Sequence, residues 1–224
     1  MLKNILNLGD SALYCDFGKD VNKEINSNVI RYFRIIKEKN IEGIDNLTPS
    51  YNKLIISFDL KKTNFSDLKK IIEDINFTKT QISKSKKIEI PVCCEKLFAL
   101  DMEKLEKKLK IDRESILKSF FNKEYFCYMT GFIAGMPFLG DLDKTLRTKR
   151  LETPRVKVPR GSIGITEQFT NIYTFESPGG WNIIGNTPLN VFDSLKEDKP
   201  NLINPGDIIT FKEITLEGYK KFDD

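Results

Sequence analysis

Hydrophobic and polar positions change period several times along this chain. In Ser11–Phe17, Leu13, Cys15 and Phe17 fall on one side and Ala12, Tyr14 and Asp16 on the other, between Gly9-Asp10 and Gly18. A period of two with glycine punctuation predicts a strand. From Val21 to Lys39 the period lengthens, with Val21, Ile25, Val29, Ile30, Phe33 and Ile36 recurring every three or four residues, which predicts a helix. Lys37 and Lys39 sit in its last turn, where cations suit the helix dipole. Ile41–Leu47 and Tyr51–Leu60, joined by Thr48-Pro49-Ser50, read as a hairpin, and Lys53–Phe58 is too apolar for an edge facing water. Asn64 or Ser66 can cap a second helix carrying Phe65, Leu68, Ile71, Ile72 and Ile75. Lys87–Val92 alternates again as a strand. The order β-α-β-β-α-β is the ferredoxin-like, split βαβ pattern, in which helices cover one face of an antiparallel sheet.

The polar run Ser83–Lys87 precedes that last strand and marks a domain boundary, giving residues 1–86 and 87–224 as two domains. Pattern alone leaves open which domain owns the strand at Ile88. Two short helices follow, at Asp101–Lys110 and Asp112–Phe121, with Asp112 as an N-cap. A helix pair so closely joined suggests helix-turn-helix DNA binding, but beyond Arg113 and Lys118 the second helix has no basic reading face. After Tyr125, glycines and prolines punctuate short apolar runs at 126–129, 156–158, 163–165, 172–175, 181–184, 189–192 and 207–211. Many short strands with such turns predict a sandwich or barrel, so the fold class is α+β followed by mostly β.

Composition then narrows the chemistry. The 224 residues are 40% hydrophobic and 30% charged, ordinary for a globular chain with a core. No window approaches 18 uninterrupted apolar residues, so no membrane span is expected. The first residues lack a secretory h-region, which makes a cytoplasmic location the expectation. A formal charge of +4, from 36 basic and 32 acidic residues, is too mild to argue for nucleic acid. The chain has no histidine, which excludes Ser-His-Asp triads, Cys-His pairs, histidine zinc motifs and any imidazole base. The four cysteines form no C-x-x-C pair, so no metal site is indicated.

Three segments carry candidate chemistry. Gly131–Gly140 has glycines at phosphate-loop spacing, but Asp141 stands where the motif needs Lys and Pro137 removes a backbone donor. Arg147–Arg160 holds four of the seven arginines, a grouping that suits an anionic ligand. Arg147 and Arg150 read as a solvated loop, whereas Arg155 and Arg160 each follow a proline at a strand border. In Phe175–Trp181, Glu176 and Ser177 adjoin Gly179-Gly180 and the only tryptophan. Consecutive glycines let backbone N–H groups approach an anion, but a tight turn beside a core tryptophan explains the segment equally well. Ser177 as a nucleophile would need a Lys base.

Gly131–Gly140, Thr153–Gly164 and Glu176–Pro188, together with Gly9–Leu13, Ile90–Cys93 and Pro205–Asp207, resemble the KipI-type family, whose members are also described as allophanate hydrolase subunit 1 and as the B-type subunit of 5-oxoprolinase. The matches span nearly the whole chain in the family's order. The resemblance implies an N-terminal ferredoxin-like domain and a C-terminal cyclophilin-like β-barrel. It also implies a multi-subunit enzyme that opens 5-oxoproline to glutamate with ATP, through hydrolysis of a phosphorylated amide-like intermediate. C-type and A-type subunits would be partners, and ATP activation is expected to need them because this chain shows no ATP site. On this resemblance Arg155 would hold a carboxylate or phosphate and Glu176 would orient water or act as base. Thr170, Ser177, Gly179, Gly180, Phe132 and Gly135 would contact the substrate. The chain departs from the family at Phe120, which stands for a His, at Ala134 for a Pro, at Met136 for a Phe, at Phe169 for a Gln and at Asn171 for a Gly. The departures mean either altered catalysis or groups that were never chemical. The KipI name implies a second reading, a non-enzymatic inhibitor of a sensor histidine kinase, and allophanate or urea degradation is a third. A homo-oligomer is compatible with all three.

Overall fold

The computed structural model describes residues 2–75, 85–196 and 199–222. The chain divides into two compact units, Met1–Lys84 and Ser85–Asp224. Of the polar run taken as a boundary, residues 83 and 84 lie outside the described residues. No helix among the described residues is long and apolar enough to cross a membrane.

The first unit contains β1 (Asn4–Asn7), β2 (Ala12–Asp16), α1 (Lys23–Lys39), β3 (Ile44–Pro49), β4 (Lys53–Phe58) and α2 (Phe65–Glu73). Its sheet is antiparallel in the order β1-β2-β4-β3. The alternation in β2 sorts as the pattern requires, with Leu13, Cys15 and Phe17 buried. β4 is a central strand, and its Leu54, Ile56 and Phe58 face the same core as Val29 and Ile36 of α1 and Leu68 and Ile72 of α2. Asn22 caps α1 by accepting from the Ile25 amide at 2.9 Å, and Asn40 ends it in the left-handed region. The helix starts after Val21, which therefore does not belong to its apolar face. Asn64, not Ser66, caps α2. Buried Asn26 donates to the carbonyls of Ser50 and Tyr51, fastening the β3–β4 turn to α1.

The split βαβ expectation needs correction at its last strand. Lys87–Cys93 belongs to the second unit, and the edge position beside β2 is taken by β1, which the hydrophobic pattern does not announce. Asn4–Asn7 buries only Ile5, so its alternation is too weak to mark a strand; pairing with β2 specifies it instead.

The second unit is a closed seven-stranded barrel with short helices packed on it. In chain order it has β5 (Lys87–Cys93), α3 (Met102–Leu109), α4 (Arg113–Phe121), β6 (Glu124–Thr130), β7 (Pro137–Gly140), β8 (Arg155–Val158), β9 (Ser162–Thr166), β10 (Phe169–Ile172), β11 (Ser177–Gly179), β12 (Asn182–Asn186), β13 (Ile208–Ile214) and α5 (Leu216–Lys220). The barrel runs β10-β7-β6-β13-β5-β12-β9 and closes on itself, leaving β8 and β11 as a separate two-stranded ribbon. Closure depends on β5 and β13, which pair in parallel through all seven residues of each. This architecture is consistent with a cyclophilin-like barrel.

Inside, Phe120 of α4 stacks on Phe211 of β13 at 4.8 Å and Tyr125 packs against both. The helix pair thus serves the barrel core. Two predicted strands are absent: residues 173–175 lie beyond the end of β10, and 189–192 contributes only an isolated bridge between Phe192 and Asn201. Conversely, Pro137–Gly140, within the segment of phosphate-loop glycine spacing, is a fully buried barrel strand. Its proline sits at the first position of the strand, where a missing donor is tolerated.

Burial has a consequence at high pH. It pushes the thiols of Cys15 and Cys94 up to about 12, and raises Cys127 and the phenols of Tyr32, Tyr125, Tyr128 and Tyr173. The folded chain therefore keeps protons that the unfolded chain releases, beginning with thiols near ~8.5 and continuing with phenols near ~10. Stability from these groups is constant below that range and falls as pH rises through it. Urea midpoints on either side of about pH 9 should show the decline; a flat profile would mean the groups are not buried in solution.

Candidate functional site

Portions of the three segments singled out by sequence meet around one cavity of about 280 Å³ in the second unit. Phe132 and Met136 come from the turn before β7, Phe138 from β7, and Arg150 and Pro154 from the loop preceding β8. Tyr173 follows β10, and Pro178, Gly179, Gly180 and Trp181 run from β11 to the start of β12. The volume lies near the lower end of small-molecule pockets.

The turn at 131–136 is held by its own backbone and by a neighbour. The Gly131 amide donates to the Met136 carbonyl at 3.0 Å, the Met136 amide donates to Ile133 at 3.2 Å, and the Thr174 hydroxyl donates to the Ala134 carbonyl at 2.7 Å. Gly135 has φ +68° and its α-carbon lies against Phe192, leaving no room for a side chain. Phe132 also adopts a left-handed φ of +69°, and its side chain stands at the cavity with the residue 68% exposed. For a non-glycine residue that conformation costs on the order of 1–3 kcal/mol, which the braced turn sustains.

Tyr173 is the polar centre of the cavity. Its hydroxyl lies against the α-carbon of Gly179, where any side chain would collide with it. Burial raises its phenol pKa; the Asn171 amide, the Trp181 backbone N–H, Arg150 and Arg155 pull in the opposite direction without reversing it. The hydroxyl thus keeps its proton at neutral pH. Asn171 is held on both sides of its amide, its Oδ1 accepting from the Gly164 amide at 3.1 Å and its Nδ2 donating to the Met136 sulfur at 4.0 Å. Trp181 meets Phe138 edge to face at 5.5 Å, and the Arg150 guanidinium sits 5.9 Å from the indole ring, within cation–π range. The arginine loop is braced by Leu151 donating to Gly180 at 2.7 Å and by Asn182 donating to Lys149 at 3.1 Å.

The residues predicted to act at the site are distributed unevenly. Phe132, Gly179 and Gly180 line the cavity. Gly135 stands behind it. Thr170 is fully buried in β10 and its hydroxyl donates to the Gly164 carbonyl at 3.0 Å. Ser177 is buried in β11, with its hydroxyl lacking a hydrogen-bond partner among the described residues. Glu176 is exposed on the β8–β11 ribbon, 3.1 Å from Lys157, and does not line the cavity. Arg155 lies opposite Gly179 across the ribbon, and its Nη2 donates to Asp101 Oδ1 at 2.6 Å while Nη1 is buried without a partner among the described residues. Asp101 has no exposure, and its Oδ2 accepts from the Ile183 amide at 2.8 Å.

Pattern reasoning misses Tyr173, Arg150 and Asp101 as parts of this arrangement. Arg150 reads as a solvated loop residue, and it is exposed, but its stacking over Trp181 joins segments 31 residues apart. Asp101 carries the mark of a helix start and nothing local that announces Arg155.

Residues 3–203 match the family described as carboxyltransferase domain, subdomain C and D. The chain is 31% identical to the B-type subunit of 5-oxoprolinase from Bacillus subtilis over 227 aligned residues, covering 96% of this chain and 94% of that one. It superposes on the crystal structure of TTHA0988 with a TM-score of 0.82 and 27% identity, over 91% of this chain and 40% of the other. The urea amidolyase of Kluyveromyces lactis shares the fold, with a TM-score of 0.79 at 23% identity over 97% of this chain and 15% of that one. The chain thus spans less than half of each of these two larger proteins.

Two substitutions test the cavity wall, with emission of Trp181, the only tryptophan, reporting on the second unit during urea unfolding. Arg155→Ala strands a buried carboxylate and should cost about 3–5 kcal/mol, much of it recovered when Asp101→Asn is added. A loss no larger than about 0.5 kcal/mol, typical of surface changes, would mean the pair holds nothing together. Gly179→Ala should cost about 1–3 kcal/mol by overpacking against Tyr173 and should shift the emission of the folded state; an unchanged spectrum and midpoint would contradict the close approach.

Proposed function

The chain belongs to the carboxyltransferase-domain subdomain C and D family, and from that membership we propose that it is the B-type subunit of an ATP-dependent 5-oxoprolinase. In this role it opens 5-oxoproline to glutamate together with C-type and A-type subunits. The observation that carries the reading is the likeness to the Bacillus subtilis protein along nearly the full length of both chains. The occurrence of the same fold inside larger chains, TTHA0988 and the urea amidolyase, supports a unit that works beside others.

The residues present favour a division of labour. The glycine spacing at Gly135–Gly140 does not form a phosphate cradle, because Pro137–Gly140 is a buried strand hydrogen-bonded between β6 and β10. The cavity offers a single guanidinium and no lysine, which is poor provision for a triphosphate. This lining favours nucleotide binding by the partners. What this chain supplies is a small aromatic cavity and a proton held on the Tyr173 hydroxyl. A phenol of this kind can donate to an oxygen on which negative charge develops during attack on an amide carbon. Glu176 stands outside the cavity and is paired with Lys157, which favours a base supplied from the partner side.

The test is glutamate release from 5-oxoproline and ATP by this chain co-purified with its C-type and A-type partners. Activity should require the chain, and Tyr173→Phe should lower kcat by roughly tenfold to a hundredfold with the complex intact. Full activity in the mixture lacking this chain would overturn the proposal, and turnover of allophanate in place of 5-oxoproline would redirect it to the urea-type reaction.

A further inference from the structure

We propose that the cavity is a binding site, complete within this chain, for a small carboxylate carried on a flat amide or lactam body, and that Arg150 is the residue that selects the carboxylate. The inference deepens the function proposed above and rests on it for the lactam body of the ligand and for the choice of 5-oxoproline as probe.

The lining sorts into surfaces that suit the two halves of such a ligand. Trp181, Phe138, Pro154 and Pro178 supply flat apolar walls around about 280 Å³, room for a small ring rather than a chain. Arg150 is the only charged residue of the lining. Its guanidinium is exposed and steadied over the indole face, and among the described residues no carboxylate lies within ion-pair distance of it. Neighbouring cations are already committed: Arg155 to Asp101 and Lys157 to Glu176. A guanidinium held by an aromatic ring instead of an acid is positioned without being neutralised, and its planar fork matches a carboxylate.

Tyr173 completes the site. Its hydroxyl lies against the α-carbon of Gly179 at the cavity and, with burial raising the phenol pKa, keeps its proton at neutral pH, so it can donate to a ligand carbonyl. Gly179 permits close approach at this point because it carries no side chain. Arg150 is the only charge in the lining, so the cavity disfavours a cationic ligand. A neutral ligand would leave the guanidinium unused, and a polyphosphate would exceed what one guanidinium can neutralise.

Trp181 makes binding directly readable, because it is the only tryptophan and lines the cavity. The experiment titrates the full chain, without partners, with 5-oxoproline, its neutral primary amide and 2-pyrrolidinone while following tryptophan emission. A saturable change is expected with 5-oxoproline, and binding of the two neutral lactams should be weaker by roughly tenfold or more. Arg150→Met should weaken 5-oxoproline to the level of the neutral lactams, and Arg150→Lys should restore part of the preference. Thermal unfolding of both variants should match the parent, since Arg150 is exposed. The proposal is overturned if 5-oxoproline leaves the emission unchanged, or if Arg150→Met preserves the preference for the acid. Failure here leaves the proposed role in the complex standing when glutamate release still depends on the chain. An emission response without turnover in the reconstituted complex sinks that role and leaves the binding site.

Discussion

One carboxylate with no access to solvent, Asp101, fixes the wall on which the cavity depends. It immediately precedes α3, pairs with Arg155 on β8 and accepts from the amide of Ile183 on β12, while its own amide donates to the Ile183 carbonyl at 2.9 Å. A buried charge that loses its partner costs several kcal/mol, so these three elements separate only at that expense. Arg155 stands opposite Gly179 in the β8–β11 ribbon, and Gly179 lies against the hydroxyl of Tyr173. The position of the phenol is therefore set through a short chain of contacts that starts at the residue just before a helix.

The aromatic interior of the barrel takes up two of the five positions read as departures from the family pattern, Phe120 and Phe169, whereas Met136 lines the cavity. Phe120 is fully buried against Phe211, Phe121 and Tyr125, and the Tyr125 hydroxyl donates to its carbonyl at 2.7 Å. Phe169 packs edge to face on Tyr128, whose hydroxyl donates to Asp141 at 2.9 Å. Ala134 contributes its carbonyl, as the acceptor for Thr174, rather than its side chain. None of the three lines the cavity. In this chain they are packing and turn positions, and their identity bears on the interior of the barrel before it bears on any ligand.

The cavity itself is chemically sparse. Without histidine it has a phenol that keeps its proton, one uncommitted guanidinium and a backbone bared by two glycines. Such a set can hold and orient a small polar molecule and can donate a hydrogen bond. It does not contain a group that both takes and returns a proton near neutral pH.

Local chemistry was legible where neighbours in sequence decide the outcome. The alternation of β2 and the three- and four-residue spacing of α1 were readable because burial on one face imposes those periods. The caps at Asn64 and Asp112 were readable because a cap acts within three residues. The glycine- and proline-rich segments that surround the cavity were visible as segments, since such residues mark turns wherever they occur. What the sequence could not decide is which distant groups share a charge or a strand edge. β1 is a strand only because β2 lies beside it, and Lys87–Cys93 belongs to the barrel because it pairs in parallel with Ile208–Ile214, more than a hundred residues later. Arg155, which by type and place looked available for a ligand, has one guanidinium nitrogen committed to Asp101, whereas Arg150, which looked merely solvated, lies over Trp181 at the cavity. Composition and period thus determined the elements and most of their inward faces; burial and pairing across the fold determined which charges remain free to meet a ligand, because a charge is neutralised by what is near it in space and not by what is near it in sequence.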